Sequence, residues 1–478
     1  MSLPMLATLL GATALVAPIA AQAQEAATPP ADAAAQMEFM QAQIEAMQKQ
    51  LDDLKKGSKT NTPNWKGAPE FSGDNGWKFK LRGRLQYDVG YVDNPKDAVA
   101  TKNLGFNSRA RRLRLGAEGS FPGGFNYKAE VDFANNNTLG YGDVIVSYAP
   151  SDQPWSVTVG NHETFQSLEQ ITSSRFVNFL ERAQMNEAFG HGRRLGLSGG
   201  YASADGAFRL NAGVFNEALG ATNFDNDDWL LGARATYSPQ ALGGMLHVGA
   251  NFQHREFQSN AQNFQYRNRP FVQTTDIRFV DAGAVAASSD NVYGLELAGI
   301  FKSLHFASEA QWVKVNAVEP ADVLDGLDSV GTATRYAGDP SFFSAYGEVG
   351  YWLTGETRGY KNGAWDRTKV LNPFDKGGWG AFGVNARYDY LDLRDRVATG
   401  TPATSFAAPN FVNGGTQTGY LLSLIWQPID YVRFTAQYTR SEVEGGPRAA
   451  AVVPVSTAPA ADRDYGFDVF ALRAQFDF

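Results

Sequence analysis

Positive charge on every second residue is the first chemistry in this sequence. Lys78, Lys80, Arg82 and Arg84 stand two apart, and Arg112 and Arg114 repeat the spacing further on. A guanidinium is a planar fork of donors that stays charged at any physiological pH and can grip two oxygens of an oxyanion at once. In an extended strand successive side chains face opposite ways, so this spacing puts the cations on one face. Residues of matching parity in later segments extend the set: Lys128, Arg194, Arg209, Arg234, Arg387, Arg433 and Arg473. Carboxylates share that face: Asp88, Glu118, Glu130, Asp132, Glu296, Glu309, Glu348 and Asp389. Two readings follow. Excess cations could pass small anions along a chain of weak sites, each releasing the ion to the next. Alternatively the charges pair across strands and leave a polar, weakly selective surface. The clustering of Lys78 to Arg84 beside Arg112 and Arg114 favours the first. Arg111 has the opposite parity, so it faces away or sits on a bulge.

Patterns for catalysis or metal binding are weaker. Gly196-Leu197-Ser198-Gly199-Gly200 matches the nucleophile-elbow pattern, but that motif needs a sharp strand-to-helix turn, and these residues alternate as a strand does. The five histidines, His162, His191, His247, His254 and His305, show no metal-ligand spacing. Asp225-Asn226-Asp227-Asp228 lacks the spacing and glycine of a calcium loop and reads as a solvated acidic loop. With no cysteine there is no disulfide, thiol catalysis or thiolate metal site. No cofactor or metal is expected.

The elements that must position the cations are strands. Trp77, Phe79, Leu81, Gly83, Leu85, Tyr87, Val89 and Tyr91 alternate with the basic and polar residues between them. This run is about twice the usual six-residue strand and has the length a tilted strand needs to cross a bilayer. About sixteen such segments recur, an even number typical of outer-membrane barrels. Short breaks, such as Phe121–Gly124, Ser203–Gly206, Lys302-Ser303 and Gln427–Asp430, alternate with long ones at 163–191, 256–289, 317–341, 392–415 and 443–464. Short turns on one side and long loops on the other mark such barrels. One break, 355–377, is long where parity demands a short turn. Either a strand is miscounted or that turn is elaborated. Phe470, Leu472, Ala474, Phe476 and Phe478 alternate with polar neighbours, and a terminal aromatic of this kind resembles the signal read by the outer-membrane assembly machinery. Composition agrees: 49 glycines, 13% aromatic residues, 19% charged residues and a net charge of −8 fit a glycine- and aromatic-rich barrel, not a nucleic-acid binder. The fold class is therefore all-β, a transmembrane antiparallel barrel over residues 77–478 in the outer membrane of a Gram-negative bacterium, with lipid and lipopolysaccharide as its surroundings.

Ahead of the barrel, Leu3 to Ala20 is apolar and Ala21-Gln22-Ala23 is a small-x-small cleavage pattern, so residues 1–23 read as a signal peptide, though without a basic start. Residues 24–76 read as a periplasmic linker. Within it Met37, Met40, Ile44, Met47, Leu51 and Leu54 form a heptad seam, giving a short coiled-coil helix over 36–56. A frayed amphipathic helix is nearly as well supported. Residues 57–76 read as loop.

At this point the sequence resembles the phosphate- and polyphosphate-selective porins, the porin O and P family. The resemblance lies in Lys78–Tyr91, in Arg109-Ala110-Arg111-Arg112-Leu113-Arg114, and in Gly160–Phe189 with its Ser167-Leu168-Glu169, Thr172–Arg175 and Phe179–Arg182 stretches. Tyr346-Gly347-Glu348, Trp352–Glu356, Pro373-Phe374-Asp375 and Gly377–Phe382 carry it further. The resemblance implies a homotrimer of sixteen-stranded barrels, each pore narrowed by an infolded third loop. It implies anion-binding roles for Arg111, Arg112 and Arg175, with Arg182 nearby, and a constriction loop that includes Glu163, Glu169 and Glu181. It departs at Asn161-His162-Glu163, where the family's lysine is expected and Glu163 would reverse its charge. The expected function is passive diffusion of small anions, phosphate or polyphosphate, with a general diffusion porin as the alternative. An outer-membrane hydrolase would need a clustered Ser–His–acid set that the sequence does not offer, and an anchor or adhesin would have a plugged lumen.

Overall fold

The computed structural model describes residues 33–58, 63–65, 67–73, 76–95, 103–134, 138–220, 228–258, 262–318, 331–398, 409–446, 459 and 462–478. The signal-peptide segment and most of Asp225–Asp228 lie outside them.

Sixteen antiparallel strands form the wall: β1 (Lys78–Val92), β2 (Gly105–Phe121), β3 (Phe125–Asp132), β4 (Gly140–Tyr148), β5 (Trp155–Glu163), β6 (Arg193–Ala202), β7 (Phe208–Phe215), β8 (Leu230–Tyr237), β9 (Gly244–Glu256), β10 (Val280–Phe301), β11 (Leu304–Ala317), β12 (Ser341–Trp352), β13 (Ala381–Arg396), β14 (Phe411–Ile429), β15 (Val432–Glu444) and β16 (Asp464–Asp477). Each pairs with its neighbour, and β16 pairs with β1 from Val469 opposite Val92 to Asp477 opposite Arg84, which closes the barrel. Closure leaves no sheet edge to meet lipid, which is what allows strands to cross a bilayer. The period-two pattern sorts the faces: on β16, Phe470, Leu472 and Phe476 are exposed while Ala471, Arg473, Gln475 and Asp477 are buried. Aromatic pairs such as Phe125–Tyr148, Tyr148–Trp155 and Trp426–Phe434 sit near strand ends on the outer face, where amphipathic rings suit a membrane interface.

Two segments depart from the expected outline, and a third settles an alternative. Within 57–76, expected as loop, Asn64–Trp65 and Pro69–Ser72 are short strands, and Glu70–Ser72 pairs with the start of β1. The break expected over 256–289 is shorter, because β10 begins at Val280, and it carries a strand, Asn263–Asn268, paired onto β10. The strand count holds, and the long break on the short-turn side is an elaborated turn over 353–380 containing a hairpin of Gly359–Lys361 and Ala364–Asp366. The helical unit preceding the barrel, α1 (Ala33–Ser58), covers the predicted 36–56 helix, and Met40, Ile44 and Met47 of the heptad seam are exposed on it.

Candidate functional site

The site is built between one half of the wall and the third loop, residues 164–192, which folds into the barrel. Two short helices, α2 (Leu168–Ile171) and α3 (Gln184–Ala188), shape the loop; Ser167 caps α2 by accepting from the Gln170 amide. Long-range bonds hold it to one side. Glu309 on β11 accepts from the backbone amides of Leu168 and Glu169, both at 2.9 Å. Gln437 on β15 accepts from Leu180 N at 2.8 Å, and Arg433 donates to Val177 O at 2.8 Å. Arg387 on β13 bridges Glu169 of the loop and Glu348 of β12. On β1, Arg84 donates to Ser174 Oγ at 2.6 Å and Gln86 Nε2 donates to Ser174 O at 3.0 Å.

Two other insertions fill the same side. The 353–380 turn reaches across the lumen: Arg358 pairs with Glu348 at 2.9 Å, Trp365 N donates to Thr172 Oγ1 at 3.2 Å, and Gly363 O accepts from Arg234 at 2.8 Å. The segment before β10 contributes Phe271, which packs on Phe179 and Leu421. Arg269 and Arg278 from that segment clamp Glu187 of the third loop at 2.5 and 3.2 Å.

What stays open faces β1 to β7. This cavity, about 320 Å³, is lined by Arg84, Arg112, Arg114, Lys128, Glu130, Asp143, Glu163 and Arg193 from the wall and by Ser173, Ser174, Arg175 and Arg182 from the loop. A second opening of about 330 Å³ is lined by Arg111, Glu181, Arg182, Glu187, Arg269 and Arg278, so Arg182 borders both. Arg111 sits on a bulge: Gln86 pairs with Arg112 and Tyr87 with Ala110, leaving Arg111 as the extra residue. The bulge turns it inward, where it meets Glu181 at 2.7 Å.

The predicted cations divide in two. Arg84, Arg112, Arg114, Arg175 and Arg182 come together at the cavity. Arg194 and Arg234 do not; they are tied to Asp228 and Glu296, each at 2.7 Å, and Arg234 anchors the inserted turn. Lys78 is exposed and Lys80 half-buried at the start of β1, Arg82 pairs with Glu118, and Arg209 lies at the start of β7. None of these four lines the cavity. Among the predicted loop acids, Glu163 is the last residue of β5 rather than part of the loop, and Arg193 opposite it on β6 pairs with it at 2.7 Å. Glu169 turns away toward Arg387, and Glu181 lies between Arg111 and Arg473. Lys128, read from parity as a lumenal cation, lines the cavity, but sequence reasoning missed Asp143 and Arg193, which form one linked chain with it, Asp143 pairing to both cations. Asp143 has lumenal parity, but a single carboxylate between Gly142 and an apolar run gave no cue.

Ser198 of the elbow-like pattern lies mid-strand in β6 and hydrogen-bonds His162 Nε2 at 2.8 Å. The other ring nitrogen of His162 faces Gly160 O at 2.9 Å rather than a carboxylate, so the acid member of a triad is missing.

Titration in the loop follows burial and neighbours. Burial pushes the Glu181 carboxyl up, but Arg111 and then Arg473 outweigh it and hold the group well below the usual carboxylate range. Burial, then the nearby Arg82, lowers the Arg175 guanidinium to about 10, which leaves it charged at neutral pH. Burial, then Arg255, lowers the His191 imidazole from 6.5 to about 4. Between those two values the unfolded chain binds the proton and the folded one does not. Stability is therefore expected to fall as pH drops from about 6.5 to about 4, by about 3 kcal/mol, and this contribution levels off below. His191→Gln should remove the His191 share of that loss and leave the further loss at lower pH to which carboxylates such as Glu181 contribute. The midpoint of heat unfolding in detergent, followed against pH, checks both.

A closed barrel of alternating strands with an infolded third loop and a charged lumen defines an outer-membrane porin. Residues 79–478 match the family described as Phosphate-selective porin O and P, and the chain belongs to that family. A protein of Caulobacter vibrioides is 36% identical over 435 residues, covering 89% of this chain and 78% of its own length. Porin O of Pseudomonas aeruginosa is 26% identical over 402 residues, covering 78% of this chain and 84% of its own. Among solved structures, the outer membrane channel DcaP of Acinetobacter baumannii matches with a TM-score of 0.47 at 14% identity, over 85% of this chain and 99% of that one. The protein is thus an outer-membrane channel of a Gram-negative bacterium.

Proposed function

We propose that this porin passes small anions, inorganic phosphate among them, through the cavity between β1–β7 and the third loop. The charge balance there carries the reading. Seven cations line it (Arg84, Arg112, Arg114, Lys128, Arg175, Arg182 and Arg193) against three carboxylates (Glu130, Asp143 and Glu163). Among the described residues, Arg112 and Arg182 have no carboxylate within ion-pair distance: Arg112 donates to Gln86 Oε1 at 2.8 Å and Arg182 to the carbonyls of Glu169 and Thr172. Donors held by neutral acceptors keep their positive potential for a passing anion, and low-dielectric walls concentrate it. Glu163 does not reverse the site, because Arg193 neutralises it. The family's description as phosphate-selective points the same way. A general, weakly selective pore is the second reading, favoured by Arg114, which is engaged by Glu130 and Asp132, both at 2.7 Å.

The remaining assignments rest on the sequence: a signal peptide at 1–23, a periplasmic linker with a coiled-coil helix at 24–76, a homotrimer, lipopolysaccharide around it, and recognition of Phe478 by the assembly machinery. The zero-current potential of the full chain in a planar bilayer under a KCl gradient tests the main proposal. A chloride-selective potential, with current reduced by added phosphate, is expected. A potential near zero or favouring K⁺ overturns it.

A further inference from the structure

The cavity that carries the cations also carries apolar surface where a pore for a hydrated inorganic ion needs none. Ile145 on β4 has the parity of Asp143 and Ser147, faces the lumen, and pairs with Lys128 and Gly160 on its two sides. It lines the cavity together with Phe165 and Ile171 of the third loop, and all three are only half-buried. Phe165 is held at φ 66°, a left-handed conformation that non-glycine residues reach only when their surroundings impose it. Its ring is backed edge-on by Phe215 at 5.9 Å and by the His162 ring at 6.0 Å, so the loop keeps an aromatic group in place beside the open space. A few steps along the same loop, Ser173 Oγ accepts from Arg84 at 3.4 Å and from Arg175 Nε at 3.1 Å. Each guanidinium has a carboxylate only at 3.7 Å, Glu130 and Asp477 respectively, and Arg84 Nε is buried without a protein partner. The volume, about 320 Å³, falls at the small end of the range for organic ligands, roughly 300–1,000 Å³.

We infer that, among the small anions the pore passes, the cavity favours organic ones, an aromatic carboxylate in particular, over compact inorganic ones. The carboxylate meets the fork donors of Arg84 and Arg175 and the Ser173 hydroxyl, while the ring leaves water against Ile145, Phe165 and Ile171. Binding there is polar at one end and apolar at the other, the usual character of a small-molecule pocket. This inference rests on the proposal that the pore prefers anions, and it names the anion class.

Benzoate, acetate and phosphate added to the full chain in a planar bilayer test it through half-blocking of the chloride current. Benzoate is expected to block at about a tenfold lower concentration than acetate, the discrimination a hydrophobic pocket achieves through one additional apolar group on its ligand. Ile145→Ser on the wall and Phe165→Gly, a residue that suits the left-handed backbone, are each expected to shrink that advantage to about twofold. Equal block by benzoate and acetate, in a channel that still prefers chloride, overturns the inference and leaves the anion reading standing. So does a benzoate advantage that survives both substitutions. Loss of chloride preference in the unaltered protein is a different result, and it removes the anion reading itself.

Discussion

Replacing Arg387 by methionine is expected to free the third loop from the wall and raise the single-channel conductance severalfold. Its guanidinium bridges Glu169 of the loop and Glu348 of β12, and it lies 4.5 Å from the ring centre of Phe179 and 4.6 Å from that of Tyr346. Methionine would fill the space between the rings but leave the buried Glu169 without its cation, while Glu348 keeps Arg358. Removing one partner of a buried ionic cluster costs about 3–5 kcal/mol. The loop can relieve that by withdrawing Glu169, which also weakens the bonds from Glu309 to the amides of Leu168 and Glu169. Conductance steps in a planar bilayer measure the widening, and trypsin cleavage after Arg175 or Arg182 reports the released loop. A folded barrel with unchanged conductance would show that the loop is held without this bridge.

Gly160→Val is expected to prevent β5 from pairing with β4 and to abolish the folded form. Gly160 has φ 123°, a backbone region open in practice to glycine alone, and a Cβ there would lie 2.2 Å from the carbonyl oxygen of Val144. The obstacle is backbone, so no side chain can swing aside. Strain of about 1–3 kcal/mol combines with an overpacking penalty of similar size, about 1–3 kcal/mol. The substitution also falls on the register that sets Ile145 opposite Gly160 and Val144 opposite Asn161, at the mouth of the cavity. Refolding into detergent, read as the fraction of heat-modifiable protein on a gel, should drop to a small residue. An unchanged refolded fraction refutes the assignment of this glycine.

The wall was legible because its signal is local. Alternation along β1 or β16 states which side chains face lipid, and the lengths of the breaks state which end carries the loops. The bulge at Arg111 was legible only as one of two alternatives, since a residue out of parity either faces away or sits on a bulge, and the pairing of β1 with β2 decides for the bulge. Parity shows which way a cation faces but not what it meets. Arg234 and Arg84 look alike in sequence, yet one is spent on Glu296 and Gly363 O while the other reaches the loop. The contacts that decide this join residues far apart in the chain, as Leu168 is from Glu309. The 353–380 turn was visible as an anomaly of length, but nothing local says that Trp365 would reach Thr172. Ile145 escaped notice for another reason. Flanked by Val144 and Val146, it is apolar on the lumenal face in a run already apolar on the outer one, so the period-two contrast vanishes there.

The pairing of β16 with β1 makes the two ends of the wall each other's last partner. No shorter piece of the chain can therefore be finished: a wall lacking Val469–Asp477 has two open rims rather than one small gap, and each rim is a row of unmet donors and acceptors able to recruit another chain. Completion is a single event that waits for the final strand. An escort must shield the growing ribbon until then, and a prematurely stopped chain becomes a seed for aggregation rather than a narrower pore.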